Sequence, residues 1–168
     1  MRKTAALTLA LALLVALPAA GAAESAALIA RRPPPFILPG LDGQQHELGE
    51  WRNKVVLLNF WASWCSPCQT EIRDLVAFQE QYGPRGLQVV GIGMDDEVKL
   101  RNVHRTLGIN YPVMFTGSPG HPLMSRFGNR DGVVPYSVLI SRQGDVVYTH
   151  TGLITAEMFN EQVIPLLQ

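Results

Sequence analysis

A chain of 168 residues with 47% hydrophobic side chains can bury a core of its own without disulfide staples. It carries 14 Lys+Arg against 14 Asp+Glu, and loss of residues 1–23 would leave 12 basic and 14 acidic residues. That balance excludes nucleic acid or an anionic lipid surface as the main partner.

Met1-Arg2-Lys3 precedes the uncharged run TAALTLALALLVALPAAGAA, residues 4–23. A basic start, an apolar stretch, Pro18 and small residues at Ala20 and Ala22 read as a secretory signal peptide over 1–23. A retained membrane anchor is the alternative, since roughly 20 apolar residues cross a bilayer. Pro18, Gly21 and the alanines make the last third a poor lipid-facing helix, so removal is favoured and the expected location is exported, in the periplasm. Residues 24–34 are expected to be a linker stiffened by prolines, and 35–168 a single domain.

FILPGLDGQQHEL is predicted to form two short strands around Asp42-Gly43, a hairpin signal. KVVLLNFWA is a continuous apolar run, as expected of a central strand covered on both faces. QTEIRDLVAFQEQYG places Ile72, Leu75, Val76 and Gln79 at helical spacing, with Gly83-Pro84 as the stop. LQVVGIGM reads as a second buried strand, and DDEVKLRNVHRTLGI as a helix with Leu100, Val103 and Leu107 on one face, ending at Gly108. YPVMFTG is a short third strand, and SPGHPLMSRFGN an irregular connection with one helical turn near Leu123 to Phe127. YSVLI and VVYTH form a hairpin turning at Gly144, and Thr155 caps a closing helix through Phe159 and Val163. The order implies a three-layer α/β domain.

The chemistry lies in NFWASWCSPCQTE, which holds both cysteines, Cys65 and Cys68. A structural zinc site normally takes four ligands and a catalytic one three. Here there are two thiols, with His46, His104, His121 and His150 scattered singly, so no metal is expected. A staple across two intervening residues closes almost no loop and stabilises little. A working redox pair is the reading that C-x-x-C beside a βαβ pattern favours. Cys65 ends the strand-to-helix turn, where free N–H groups and the helix dipole favour a thiolate and lower its pKa from about 8.5. Pro67 suits a first-turn position. Cys68, one turn deeper, is expected to be less exposed, so Cys65 attacks and Cys68 resolves the mixed disulfide.

VVLLNFWASWCSPCQTE closely resembles the active-site segment of the thioredoxin superfamily, and FILPGLDGQQHELGEWRNK resembles the N-terminal extension of exported thiol-disulfide oxidoreductases of the TlpA/ResA family. The resemblance implies a thioredoxin fold, three-layer α/β/α, with an N-terminal β-hairpin extension and a central insertion. Many members have a proline five residues after the second cysteine; Arg73 stands there, which implies a straighter helix. It also implies that Glu71 influences the cysteine pKa values, where the plainer reading is an exposed glutamate complementing the helix dipole. Pro135 takes the place of the family's cis-proline, with the Val134 backbone pairing an extended substrate beside Cys65; an ordinary trans proline is the alternative. Trp64 is expected to cover the disulfide and, with Pro67, to meet substrate, while Trp61 is at least half a core residue. HPLMSRFG is best read as a plain surface connection.

The function so implied is an enzyme that exchanges, and in this family commonly reduces, disulfides of cysteine-containing protein substrates such as apocytochrome c. It needs no cofactor and is supplied by a membrane thiol electron donor. The competing readings are a thiol-based copper-delivery or chaperone protein and a peroxiredoxin-like peroxidase. None of the five methionines lies near the thiols in sequence, and both cysteines sit inside one C-x-x-C, features that weigh against each in turn.

Overall fold

The computed structural model describes residues 32–117 and 122–168, so the signal peptide, most of the linker and His121 lie outside the described residues. The strands are β1 (Ile37–Pro39), β2 (Gln45–Glu47), β3 (Val55–Trp61), β4 (Leu87–Gly93), β5 (Val113–Phe115), β6 (Tyr136–Ile140) and β7 (Val146–Thr151). The α-helices are α1 (Ser66–Tyr82), α2 (Glu97–Leu107), α3 (Pro122–Arg126) and α4 (Ala156–Gln162). β1 and β2 pair antiparallel as a small separate sheet, and the other five form one mixed sheet in the order β5-β4-β3-β6-β7.

β3 is central because its sequence leaves it no solvent-facing side. Every residue of VVLLNFW is buried, flanked by parallel β4 and antiparallel β6. Its alternation decides the layers. Asn59 points to α1, where it meets Glu71, while Phe60 points to the other face and packs on Phe127, just beyond α3, with ring centroids 5.8 Å apart. Gly91 and Gly93 share the Asn59 face by register. A methyl group at Gly93 would stand 2.5 Å from the Leu100 side chain, so α2 lies against this face at closest approach. α4 joins it through Phe159, stacked on Phe78 of α1 at 3.8 Å. The result is helices on both faces of a mixed sheet, the architecture expected.

The helix ends follow their capping chemistry. Thr155 Oγ1 accepts the Met158 N–H at 3.2 Å to start α4. α2 stops at Gly108, whose φ of 61° is left-handed and cheap only for glycine. α1 runs unbroken through Arg73 to Tyr82, consistent with the missing proline, and begins three residues before Gln69, where the predicted helical segment starts.

Three features differ from the sequence reading. Leu48–Trp51 forms a 3-10 turn that buries Trp51, started by the Glu47 N–H donating to Glu50 Oε1 at 2.8 Å. His46 bridges Asp42 and Glu50 at 3.0 and 2.8 Å, tying the turn to the hairpin. HPLMSRFG is not a plain surface connection: Leu123, Met124 and Phe127 enter the core, because the face of β3 opposite α1 must be covered by something apolar. A further 3-10 turn, Ile164–Leu167, follows α4 and buries Leu167.

Candidate active site

Strand β3 delivers the chain to its C-terminal end, where the Cys65 N–H donates to the Ala62 carbonyl at 3.1 Å and closes a turn. Two other groups fix that turn. Gln69 Nε2 donates to the Ser63 carbonyl at 2.7 Å, and Ser63 Oγ donates to the buried Asp95 carboxylate just past β4. Burial works to raise the Asp95 pKa, but the Ser63 hydroxyl, the Asp96 N–H and Lys99 together hold it below the ordinary range.

Cys65 is the N-cap of α1, and Pro67 occupies its first turn. The sulfurs are joined in a disulfide of 2.06 Å with Cα atoms 5.3 Å apart. The Cys68 N–H, one of the unpaired donors of the helix start, donates to Cys65 Sγ at 3.2 Å. The environments of the two sulfurs are unequal. Cys65 keeps 5% exposure between exposed Trp64, Ser66 and Pro67, while Cys68 has none. Cys65 is thus closer to burial than a helix tip alone implies, because the Val134 segment leans over it: its sulfur lies 3.8 Å from the Val134 carbonyl oxygen.

The Val134-Pro135 bond is cis, as the resemblance implied. Asn129 shapes the approach to it. Its amide nitrogen donates to the Val133 carbonyl at 2.6 Å and its oxygen accepts the Val133 N–H at 3.3 Å. Pro135 is buried, Val134 is half-buried, and Trp64 stands 64% exposed beside the disulfide; Trp61 is wholly in the core.

Glu71 is not an exposed dipole partner; it is 1% exposed, on the same helix and side as Cys68. Its Oε2 accepts the Ile154 N–H at 2.6 Å, and its Oε1 accepts from Asn59 Nδ2, which also donates to Ser137 Oγ at 3.1 Å. Burial pushes its pKa up to about 7, against the pull of those two hydrogen bonds and with a small push from Asp74.

The candidate residues Trp64, Cys65, Pro67, Cys68 and Glu71 come with one turn and helix, and Val134 and Pro135 reach them from the start of β6. Asn59, Ser137, Asp95 and Asn129 belong to the site's framework and were not singled out from the sequence. For Asn59 a signal existed: an amide within the apolar run VVLLNFW must find a buried partner. Among the described residues, no group of three or more His, Cys, Asp and Glu side chains could hold a metal ion.

Comparison with known proteins agrees with this geometry. The family model described as the AhpC/TSA family matches residues 29–149. The thiol-disulfide oxidoreductase ResA of Halalkalibacterium halodurans is 28% identical over 127 residues, 75% of this chain and 70% of the relative. ResA of Bacillus thuringiensis is 29% identical over 130 residues, 77% and 73% of the two chains. A crystal structure of a thiol:disulfide interchange protein of the thioredoxin family from Chlorobium tepidum superposes with a TM-score of 0.71 at 30% identity, covering 82% of this chain and 96% of that one. With a thioredoxin-like fold and a Cys65–Cys68 pair at the tip of α1, the chain belongs to the AhpC/TSA family.

Proposed function

We propose that the chain is an exported thiol-disulfide oxidoreductase that reduces disulfides in protein substrates through its Cys65–Cys68 pair. The observation that carries this is the inequality of the two sulfurs. Cys65 caps α1 with 5% of its surface exposed, whereas Cys68 has none and lies one turn before the buried Glu71 on the same helix. A thiolate at Cys65 gains from the Cys68 N–H and the helix dipole, so it attacks the substrate disulfide and releases the first substrate thiolate. Cys68 then loses its proton to Glu71, whose pKa of about 7 suits both accepting and returning a proton near neutrality. Its sulfur displaces the second substrate thiolate and closes the disulfide.

The Val134 carbonyl beside Cys65 and the proline after it leave an edge on which an extended substrate segment pairs, with Trp64 and Pro67 offering apolar surface. The relatives named ResA are thiol-disulfide oxidoreductases, which supports cysteine-containing protein substrates here. A membrane thiol donor would return electrons to the oxidised pair. The basic-then-apolar start of the sequence supports export to the periplasm. Among the described residues, no helix is long and apolar enough to cross a membrane. The copper-delivery, chaperone and peroxidase readings are not favoured, since the relatives are named for thiol–disulfide exchange.

Turnover of insulin disulfides with a thiol reductant tests the proposal. Wild type is expected to accelerate reduction and Cys65→Ser to fall to the uncatalysed rate. Equal turnover by the two proteins would overturn it.

A further inference from the structure

The loop that brings Val134 to Cys65 is held by a side chain that imitates a neighbouring strand. In an antiparallel pair, two facing residues exchange both of their N–H···O=C bonds. The Asn129 amide makes the same exchange with Val133: its nitrogen donates to the Val133 carbonyl at 2.6 Å and its oxygen accepts the Val133 N–H at 3.3 Å. Asn129 is buried and is itself anchored. Its own N–H donates to the Met124 carbonyl in α3 at 3.1 Å, and the buried Tyr136 hydroxyl donates to the Phe127 carbonyl at 2.6 Å, which ties the loop down from the β6 side. Gly128 and Gly132, with φ of 97° and 69°, supply the left-handed turns that fold the chain back onto the amide.

This clamp decides which backbone groups remain for a substrate. Val133 has its N–H and its carbonyl taken by Asn129. Pro135 has no N–H, and its carbonyl accepts the Gly152 N–H at 2.9 Å. Val134 between them is left open. Among the described residues its N–H has no partner, and its carbonyl oxygen faces Cys65 Sγ at 3.8 Å. We propose that Asn129 is a positioning residue for the substrate: by saturating Val133 it leaves Val134 as the pairing residue, and so fixes the register in which an extended, disulfide-bearing peptide lies beside Cys65. The inference rests on the reading that the substrate main chain pairs at Val134.

Register matters because main-chain pairing supplies affinity without reading side chains. A peptide slipped by one residue would carry its disulfide roughly 3.3 Å along the edge. Attack needs the reacting atoms held about 3–3.5 Å apart, so a slip of that size removes the sulfur from reach. An edge that offered Val133 as well as Val134 would admit the slip; an edge with Val133 already paired does not. The clamp also exists before substrate arrives, so the ordering of the loop is not charged to binding. An amide suits the task. It donates and accepts at once, as a carboxylate cannot, and it stays neutral over the pH range in which the thiols titrate. The Val133 side chain, 48% exposed, is held by the same two bonds as an apolar neighbour of the pairing residue.

The test compares insulin, whose disulfides lie in peptide chains, with 5,5′-dithiobis(2-nitrobenzoate), a disulfide with no peptide backbone to pair. Asn129→Ala is expected to lower kcat/KM for insulin about tenfold, chiefly through KM, and to leave the reaction of the reduced protein with the aromatic disulfide within about twofold of wild type. An insulin kcat/KM within about twofold of wild type overturns the inference. An equal loss on both substrates overturns it too, since a disturbed cysteine pair or a loosened fold gives that result. Cys65→Ser separates the layers. A wild type no faster than Cys65→Ser on insulin overturns the proposed function as well, whereas an active wild type with a silent Asn129→Ala overturns the register assignment alone. A crystal structure of Cys68→Ser trapped on a cysteine-containing peptide keeps the native Asn129 and gives an independent reading. The peptide main chain is expected to bond Val134 with Asn129 still on Val133; a peptide bonded to Val133 in place of Asn129, or one without a bond to Val134, overturns the inference.

Discussion

Glutamine at position 71 would preserve the shape of the Glu71 side chain and its acceptor for Ile154 while abolishing its charge. Because burial raises the Glu71 pKa above the usual 4.5 to about 7, the fold favours the protonated carboxyl. The stability this group contributes is complete below pH 4.5 and disappears as the pH rises through 7, a difference of roughly 3 kcal/mol. Urea unfolding of oxidised wild type and Glu71→Gln is therefore expected to show the two diverging between pH 4.5 and 7, the variant becoming relatively more stable at the alkaline end. Parallel curves would mean that the carboxyl titrates normally. At Cys68 the expectation is kinetic. Cys68→Ser leaves Cys65 able to attack but removes the resolving sulfur, so mass spectrometry should find substrate held on Cys65 as a stable mixed disulfide. Much of this was readable from C-x-x-C at the foot of an apolar strand. The burial of Glu71 was not, because helical spacing puts it on the side of Cys68 without saying what covers that side.

Gly93 and Leu100 show how closely α2 is pressed to the sheet. A methyl group at Gly93 would stand 2.5 and 2.7 Å from the Leu100 δ-carbons, and Leu100 is fully buried. Gly93→Ala is expected to cost about 1–3 kcal/mol, read by chemical denaturation, as is usual for an overfilled core; an unchanged midpoint would show that α2 rides further from β4. Strands and helices of this kind were legible because period and caps are local: the apolar runs of β3 and β4, the helix stop at Gly108, the cap at Thr155. The 3-10 turn at Leu48–Trp51 was not, since four residues carry no period to detect. The role of Asn129 was equally hidden. Its two bonds to Val133 support the cis-proline segment only once the loop is folded.

Across the molecule, the site joins parts of the chain that sequence spacing does not relate. Asn59 on β3, Glu71 on α1, Ser137 on β6 and Ile154 before α4 make one buried network spanning 96 residues of chain. The layers followed from element order and apolar pattern. The convergence of these four groups followed from strand order β4-β3-β6, which depends on pairing between distant segments. Under the proposed function, the Cys65–Cys68 pair gives electrons to substrate disulfides. The reduction potential of the Cys65–Cys68 couple, measured by equilibration with glutathione or dithiothreitol, tests that most directly. A value near about −270 mV, as in thioredoxin, is expected; one near about −120 mV, as in a strong oxidant, would contradict the reductive role.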